Sequence, residues 1–173
     1  LLFGIGIVFG LAAPAGIAGL ISEDLAALEE LGDILAPFKV STAIFIFIKN
    51  ALALLLSFAL SPIFCLVPIL TLSVNGWLLA FVSSMAIQEK SLGFVLAALL
   101  PHGIIELPAL FIGEAAALSF GAMAIIALFK KEKRNLLFPS LRQNFKYLSI
   151  ALALLLPAAI IETYITPLLI NLI

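Results

Sequence analysis

The sequence has very few charged residues. Only 11% of its 173 residues are Asp, Glu, Lys or Arg, whereas 64% are hydrophobic. A soluble domain carries roughly 25% charged residues and uses them to cover its surface. A chain with so few would leave most of its surface apolar in water. The composition therefore excludes an ordinary soluble domain and indicates an integral membrane protein.

The sequence also has one cysteine, one histidine and no excess of basic residues. One cysteine, Cys65, excludes a disulfide within the chain and a cysteine-ligated zinc site, and its apolar surroundings indicate a packing role. One histidine is a thin basis for zinc, and no His-Glu-x-x-His segment occurs. The net charge is −1 and there is no broad basic face. We therefore expect no metal, no cofactor and no nucleic-acid partner.

The signatures of hydrolytic enzymes are missing as well. No Gly-x-Ser-x-Gly segment is present, and a serine nucleophile would have to share the single histidine. A Ser-Lys mechanism through Lys49 remains open, but the sequence does not indicate which serine would be the nucleophile. An intramembrane hydrolase is therefore the least favoured function, and the sequence assigns no catalytic residue.

Long apolar runs are present instead, and each is long enough to cross a bilayer, which takes about 20 residues. They predict an all-α, polytopic transmembrane bundle that forms a single domain over residues 1–173. The first run has no basic leader and no convincing cleavage site, so we expect it to be a retained span. The predicted spans cover residues 1–21, 43–60, 66–87, 92–129 and 147–173.

The run from Leu92 to Phe129 is too long for one straight crossing. As a continuous helix its residues would measure about 57 Å, against a hydrocarbon core of about 30 Å. Its one extended polar break is Pro101-His102-Gly103. The run must therefore form either two spans, or a half-helix that ends at residues 101–103 followed by one long tilted span. The charges of the loops favour the second arrangement, which gives about five crossings in total.

Two polar stretches of opposite charge separate the apolar runs. Residues 22–41 are mainly acidic and residues 130–146 are strongly basic, and both carry large apolar residues at helical spacing. Each is predicted to form an amphipathic helix on the bilayer surface. Because basic loops stay in the cytoplasm, we expect the N-terminus and loop 130–146 inside the cell membrane. Loop 22–41 and the C-terminus are then outside.

Ionisable side chains fall inside the predicted spans, where each charge costs at least about 2.5 kcal/mol near the bilayer centre. His102 and Glu106 lie four residues apart and share one helix face. Near Glu106 on that face lie small residues that let another helix approach closely, namely Gly113, Ala117 and Gly121. The sequence predicts a polar intramembrane cluster, either structural or transporting, formed by Lys49, Asn50, Asn75, His102, Glu106 and Glu114.

The partners within this cluster stay open. Lys49 either forms a buried ion pair with a glutamate or extends its long stem to the nearer membrane surface. Asn50 and Asn75 are more typical of hydrogen bonds between helices than of ligands. Glu162 and Thr166, in the last span, form a weaker second polar cluster.

The segment from Leu99 to Ala109 resembles the stage II sporulation protein M family. Members carry the segment Pro-His-Gly-hydrophobic-x-Glu-x-Pro-Ala, in which x is any residue. A helix rich in Gly and Ala follows, here residues 113–121. Lys49-Asn50 and Asn75-Gly76 also look like that family's pattern. The resemblance implies a polytopic membrane protein with about five spans, and it brings no catalytic residue.

The resemblance also implies a function. In endospore-forming bacteria the namesake is a membrane scaffold for peptidoglycan-remodelling partners during engulfment, and relatives occur in bacteria and archaea that make no spores. We therefore expect a non-enzymatic membrane scaffold or partner-binding protein. We also expect a homo-oligomer, with a dimer favoured, through the small-residue helix faces. The alternative is a small transporter or ion-permeable protein with its site around His102, Glu106 and Glu114.

Overall fold

The computed structural model describes residues 1–13 and 36–172 of the chain, which form a bundle of helices without a strand. The predicted all-α architecture is confirmed. The predicted surface helix at residues 22–41 and the second half of the predicted first span lie mostly or wholly outside the described residues.

The helices of the described residues follow one another with short connections. A 3₁₀ turn, Lys131–Leu136, precedes α5, and a π-helical turn, Ile161–Ile165, separates α5 from α6. The α-helices are α1 (Leu2–Leu11), α2 (Val40–Leu60), α3 (Leu66–Glu89), α4 (Leu92–Phe129), α5 (Leu137–Ile160) and α6 (Thr166–Ile170). Among the described residues, four helical stretches are long and apolar enough to cross a membrane, namely α2, α3, α4 and Lys131–Ile170.

The direction of each helix follows from its side-chain contacts. Asn50 and Ser57 of α2 bond Glu106 and Glu114 of α4 in the same order, so α2 and α4 run parallel. The tight turn between α3 and α4 reverses the chain, and Ser91 caps α4 by accepting a hydrogen bond from the Phe94 N–H at 3.1 Å. The connection from α4 to α5 reverses it again.

Glycines hold α1 close to α3. Gly6 lies on the backbone of Ser73 and Trp77, and Gly10 lies on the backbone of Trp77 one turn later. Gly76 makes the reciprocal contact with the backbone of Phe3. A Cβ atom at any of these glycines would overlap the neighbouring main chain. The two helices therefore run parallel as a tight pair.

A second tight unit consists of α2, α4 and α5. Its centre is formed by Leu54, Leu148 and Leu155, which fill the space over fully buried alanines such as Ala109 and Ala151. Small residues let the three backbones approach closely, and in lipid this gain in packing contacts is what drives helices together. The result is a core formed by α2, α4 and α5.

The small residues named from the sequence lie inside this second unit. Gly113 faces Leu54, Ala117 is fully buried, and Gly121 lies on the backbone of Ser61. Cys65 packs against Gly121 from the α2–α3 connection, where burial raises the pKa of its thiol. Since α2 of the same chain covers this face, a homo-oligomer would have to use another surface.

The predicted break at Pro101–Gly103 is not present, because α4 is helical without interruption from Leu92 to Phe129. Pro101 and Pro108 each lack a backbone N–H, but prolines are tolerated in membrane helices whose neighbours satisfy the freed carbonyls. The extra length is accommodated in another way. Gly121 lies level with Ser61 just past the end of α2, so the last eight residues of α4 extend about 12 Å further.

The basic stretch 130–146 also differs from the predicted surface helix. It forms the 3₁₀ turn and then the first ten residues of α5, which continues without a break to Ile160. Arg134 ties the turn to the end of α4, because its Nε donates a hydrogen bond to the Ala127 carbonyl at 3.2 Å. The basic charges therefore lie on a projecting α4–α5 hairpin, which we define as residues 122–146.

The close α1–α3 contact predicts different effects for two glycine substitutions in α1. Gly6→Ala should lower the free energy of unfolding by about 1–3 kcal/mol, because its methyl group would overlap the backbone of Ser73. Gly4→Ala meets no atom of the described residues within 4 Å and gains the same helix propensity, so it is the matched control. Thermal unfolding in detergent measures both. Equal melting of the two variants would contradict the contact.

Candidate functional site

A cavity of about 660 Å³ lies among α2, α3, α4 and α5. It lies between the α1–α3 pair and the α2–α4–α5 unit, which still touch through the edge-to-face rings of Phe3 and Phe111, with centroids 5.1 Å apart. Its volume falls within the usual range of small-molecule sites. Most of the wall is apolar, and the polar side chains that line it are Lys49, Asn50, Thr71, Asn75, Ser83, His102, Glu106 and Glu162.

The cavity reaches the middle of the helical bundle. Asn50 is the central residue of the 21 in α2, so it lies about 15 Å from either end of that helix. Glu106 of α4 is at the same depth, since it accepts a hydrogen bond from Asn50. From there the cavity extends past Ser83 and Val95 towards the end of the bundle where α3 meets α4.

His102 and Glu106 project from one face of α4 into this cavity. The His102 Nε2 lies 3.9 Å from the Glu106 Oε2, as expected for residues one turn apart. Asn50 Nδ2 donates a hydrogen bond to the other carboxylate oxygen, Glu106 Oε1, at 3.0 Å. The His102 Nδ1 lies 3.4 Å from the Thr166 Oγ1. Neighbouring helices thus orient both side chains.

Glu162 joins the same group of atoms. Its carboxylate, the Glu106 carboxylate and a His102 ring nitrogen place one potential ligand atom each within 4.8 Å of one another. Glu162 belongs to the π-helical turn after α5, and such turns are frequent at functional sites. The sequence had separated Glu162 and Thr166 as a second cluster, whereas the structure brings them together with His102 and Glu106.

Lys49 and Asn75 line the cavity without closing it. Within the described part of the chain, no carboxylate lies within 4.0 Å of the Lys49 Nζ, so the buried ion pair considered for Lys49 is not formed. Asn75 donates its side-chain hydrogen bond to the Thr71 carbonyl of its own helix at 2.8 Å. Both side chains therefore face the cavity from α2 and α3 without contacting His102 or Glu106.

Glu114 is separate from the cavity. Its side chain is fully buried between α4 and α2, where the Ser57 Oγ donates a hydrogen bond to Oε2 at 2.5 Å. The other oxygen, Oε1, has no partner among the described residues. Of the six residues of the predicted cluster, five thus line one cavity together with Glu162, and Glu114 forms a buried pair with a serine that was not named.

A signal for the Ser57 contact is present in the sequence. Asn50, Ser57 and Ser61 recur at intervals of seven and four residues, which places them on one face of α2. Glu106 and Glu114 are eight residues apart on α4, so two parallel helices bring both pairs together. The Thr166 contact carries no such signal, because its position depends on the π-helical turn.

Comparison with known proteins supports one family. The profile described as stage II sporulation protein M matches residues 1–167. An uncharacterized protein of Methanocaldococcus jannaschii is 27% identical over 168 residues, which covers 96% of this chain and 90% of that protein. No solved structure matches the chain.

The Ser57–Glu114 pair predicts a loss of stability when the serine is removed. Ser57→Ala should lower the free energy of unfolding by about 1–3 kcal/mol, since it leaves the buried Glu114 carboxyl group without a hydrogen bond. Ser149→Ala is a suitable control, because Ser149 is exposed and donates its hydrogen bond to the Phe145 carbonyl of its own helix. Unfolding in detergent would compare them. A loss no larger than that of the control would contradict a stabilising role for the pair.

Proposed function

The chain belongs to the stage II sporulation protein M family, and from its intramembrane cavity we propose that it binds a small polar or cationic solute and carries it across the bilayer. The observation that carries this proposal is the 660 Å³ cavity that reaches Glu106 at the middle of the bundle. Membrane transporters commonly place their sites at this depth.

Two glutamates of α4 provide an internal comparison. Glu114 is fully buried and bonded to Ser57 of α2, as expected of a polar side chain that only joins two helices. Glu106 is one of several polar groups around an open volume, and a purely structural role does not require that volume. Ionisable groups inside a membrane are costly and normally accompany a substrate or ion pathway.

The charges around the cavity favour a cation. Glu106 and Glu162 provide two carboxylates, His102 provides a lone pair when its ring is neutral, and Lys49 is the only lysine in the lining. Acceptor groups therefore outnumber positive charges. An ammonium group, a metal ion or a proton-coupled polar solute fits this balance better than an anion.

The two tightly packed units on either side suggest how access could change. The α1–α3 pair and the α2–α4–α5 unit are each held by glycine or alanine contacts, while the cavity lies between them. A small rotation of one unit against the other would open or close the cavity and leave both cores intact. We propose that the basic hairpin faces the cytoplasm, so the cavity extends towards the outside.

A partner-binding membrane scaffold is the second candidate function. The observation that favours it is the α4–α5 hairpin, which extends past α2 and exposes Leu128, Phe129 and Phe138 beside basic residues. Exposed aromatic and basic side chains are typical of surfaces that bind partners or lipid headgroups. A hydrolase is not favoured by the polar groups near His102 in the described residues, which are Thr166, Glu106 and Glu162 and include no serine.

Transport is tested by flux into liposomes. Wild-type protein should carry protons, monovalent cations or divalent cations, and Glu106→Gln should reduce that flux to background because it removes the central charge. Glu132→Gln changes an exposed carboxylate outside the cavity and should leave the flux unchanged. If neither wild type nor control moves any of these ions at any voltage, the transport proposal fails.

The scaffold candidate is tested by cross-linking in cells. A photoreactive amino acid at Phe138, on the exposed hairpin, should give discrete protein adducts if this surface binds a partner. The same amino acid at Ile44, which is exposed on the side of α2, should give mainly lipid adducts. Identical adducts at both positions would exclude the hairpin as a specific docking surface.

A further inference from the structure

We propose that His102, Glu106 and Glu162 bind a divalent transition-metal ion, such as Zn²⁺ or Mn²⁺, at the inner end of the cavity. The proposal names the solute of the cavity and so rests on the proposed function, although the metal site is testable by itself. A single histidine in the sequence argued against a metal. The structure adds two carboxylates to that histidine, one of them from a turn that is 60 residues away along the chain.

The distances among the three groups suit a common ion after a small adjustment. Their potential ligand atoms all lie within 4.8 Å of one another, and the His102 Nε2 is 3.9 Å from the Glu106 Oε2. Ligands about 2.1 Å from a tetrahedral ion are separated by about 3.4 Å. A side-chain rotation that shifts the carboxylate oxygens by about an ångström therefore completes the site without moving a helix.

The 3.9 Å distance itself argues against a simple hydrogen bond. A hydrogen bond between an imidazole nitrogen and a carboxylate oxygen is usually 2.7–3.2 Å long. At 3.9 Å the pair lies beyond that range. The separation is close to that of two ligands of one ion, which approach the ion and not each other.

Two neighbours support the ligands in the way that known metal sites require. Thr166 lies beside the His102 Nδ1 at 3.4 Å, which leaves Nε2 directed towards Glu106. Asn50 binds the Glu106 Oε1 at 3.0 Å and leaves Oε2 for the ion. Such outer contacts fix ring and carboxylate orientation and strengthen metal binding.

The donor set and its charge select the kind of ion. One nitrogen and two carboxylate oxygens suit Zn²⁺, Mn²⁺ or Fe²⁺, whereas Ca²⁺ and Mg²⁺ prefer oxygen alone. Neutral His102 with two ionised glutamates has a charge of −2, which balances a divalent ion. Three protein ligands leave at least one coordination position free for water or another small ligand.

Lys49 gives this site a competing positive charge. It lines the same cavity as Glu106 and Glu162, so its ammonium group balances part of their charge when no ion is bound. Binding of a cation must act against that ammonium group. Lys49→Met should therefore tighten binding of a metal, whereas it would weaken binding of an anion that uses the same lysine.

The experiment is a titration of Zn²⁺ and Mn²⁺ into chelator-treated protein in detergent, followed by calorimetry and by the melting temperature. Wild type should bind one ion per chain and melt at a higher temperature with the ion. Glu162→Gln and His102→Ala should each weaken binding by at least about tenfold, and Lys49→Met should strengthen it. Glu132→Gln should match wild type.

Two results would overturn the site. One is undetectable binding of both ions to folded wild-type protein. The other is equal binding by wild type and by Glu162→Gln, which preserves the shape of the side chain and removes its charge. Melting curves without metal show whether each variant is folded, so a loss of binding is not confused with a loss of structure.

The outcome is distinguishable from that of the flux experiment. Metal binding without flux of any ion keeps the site and removes the transport proposal. Flux of another cation without metal binding keeps transport and removes the metal. Flux of the bound metal that Glu162→Gln abolishes supports both proposals.

Discussion

The close contact of α4 with α2 and α5 is the interaction on which the rest of the structure depends. No hydrophobic force drives helices together in lipid, so close packing and hydrogen bonds between helices must hold them. Fully buried Ala109 and Ala117 and the bare backbone of Gly113 permit that packing. Only at this separation can Asn50 reach Glu106 and Ser57 reach Glu114. The small residues thus decide which polar groups meet.

Close packing through small side chains within each unit also leaves the cavity between the units. Glycine holds α1 to α3 and alanine holds α4 to α5, so each unit is dense within itself. Between the units, α2 and α3 lie apart, and the mostly apolar side chains that face this space do not fill it. A group such as Glu106 can then keep contact with a solvent or an ion at the middle of the membrane, whereas Glu114 inside the dense unit cannot.

Hydropathy predicted the positions of the helices well, but it did not predict which side chains of different helices meet. Spans at residues 43–60 and 66–87 fall within α2 and α3, because long apolar runs have few other solutions in a membrane. The break at residues 101–103 was expected because α4 is longer than the bilayer, and it is absent because α4 projects beyond α2. The meeting of Glu162 with His102 depends on a π-helical turn that no residue spacing announces.

The two candidate functions use different parts of α4, and this separation bears on the choice between them. The cavity contacts residues in the first half of the helix, whereas the exposed hairpin begins after Gly121. A scaffold needs only the hairpin, and a tightly closed bundle would serve it equally well. The scaffold function gives no reason for an open volume in the middle of the bundle that is lined by two carboxylates, an imidazole and a lysine. The cavity therefore favours solute binding, even though the hairpin could serve a partner as well.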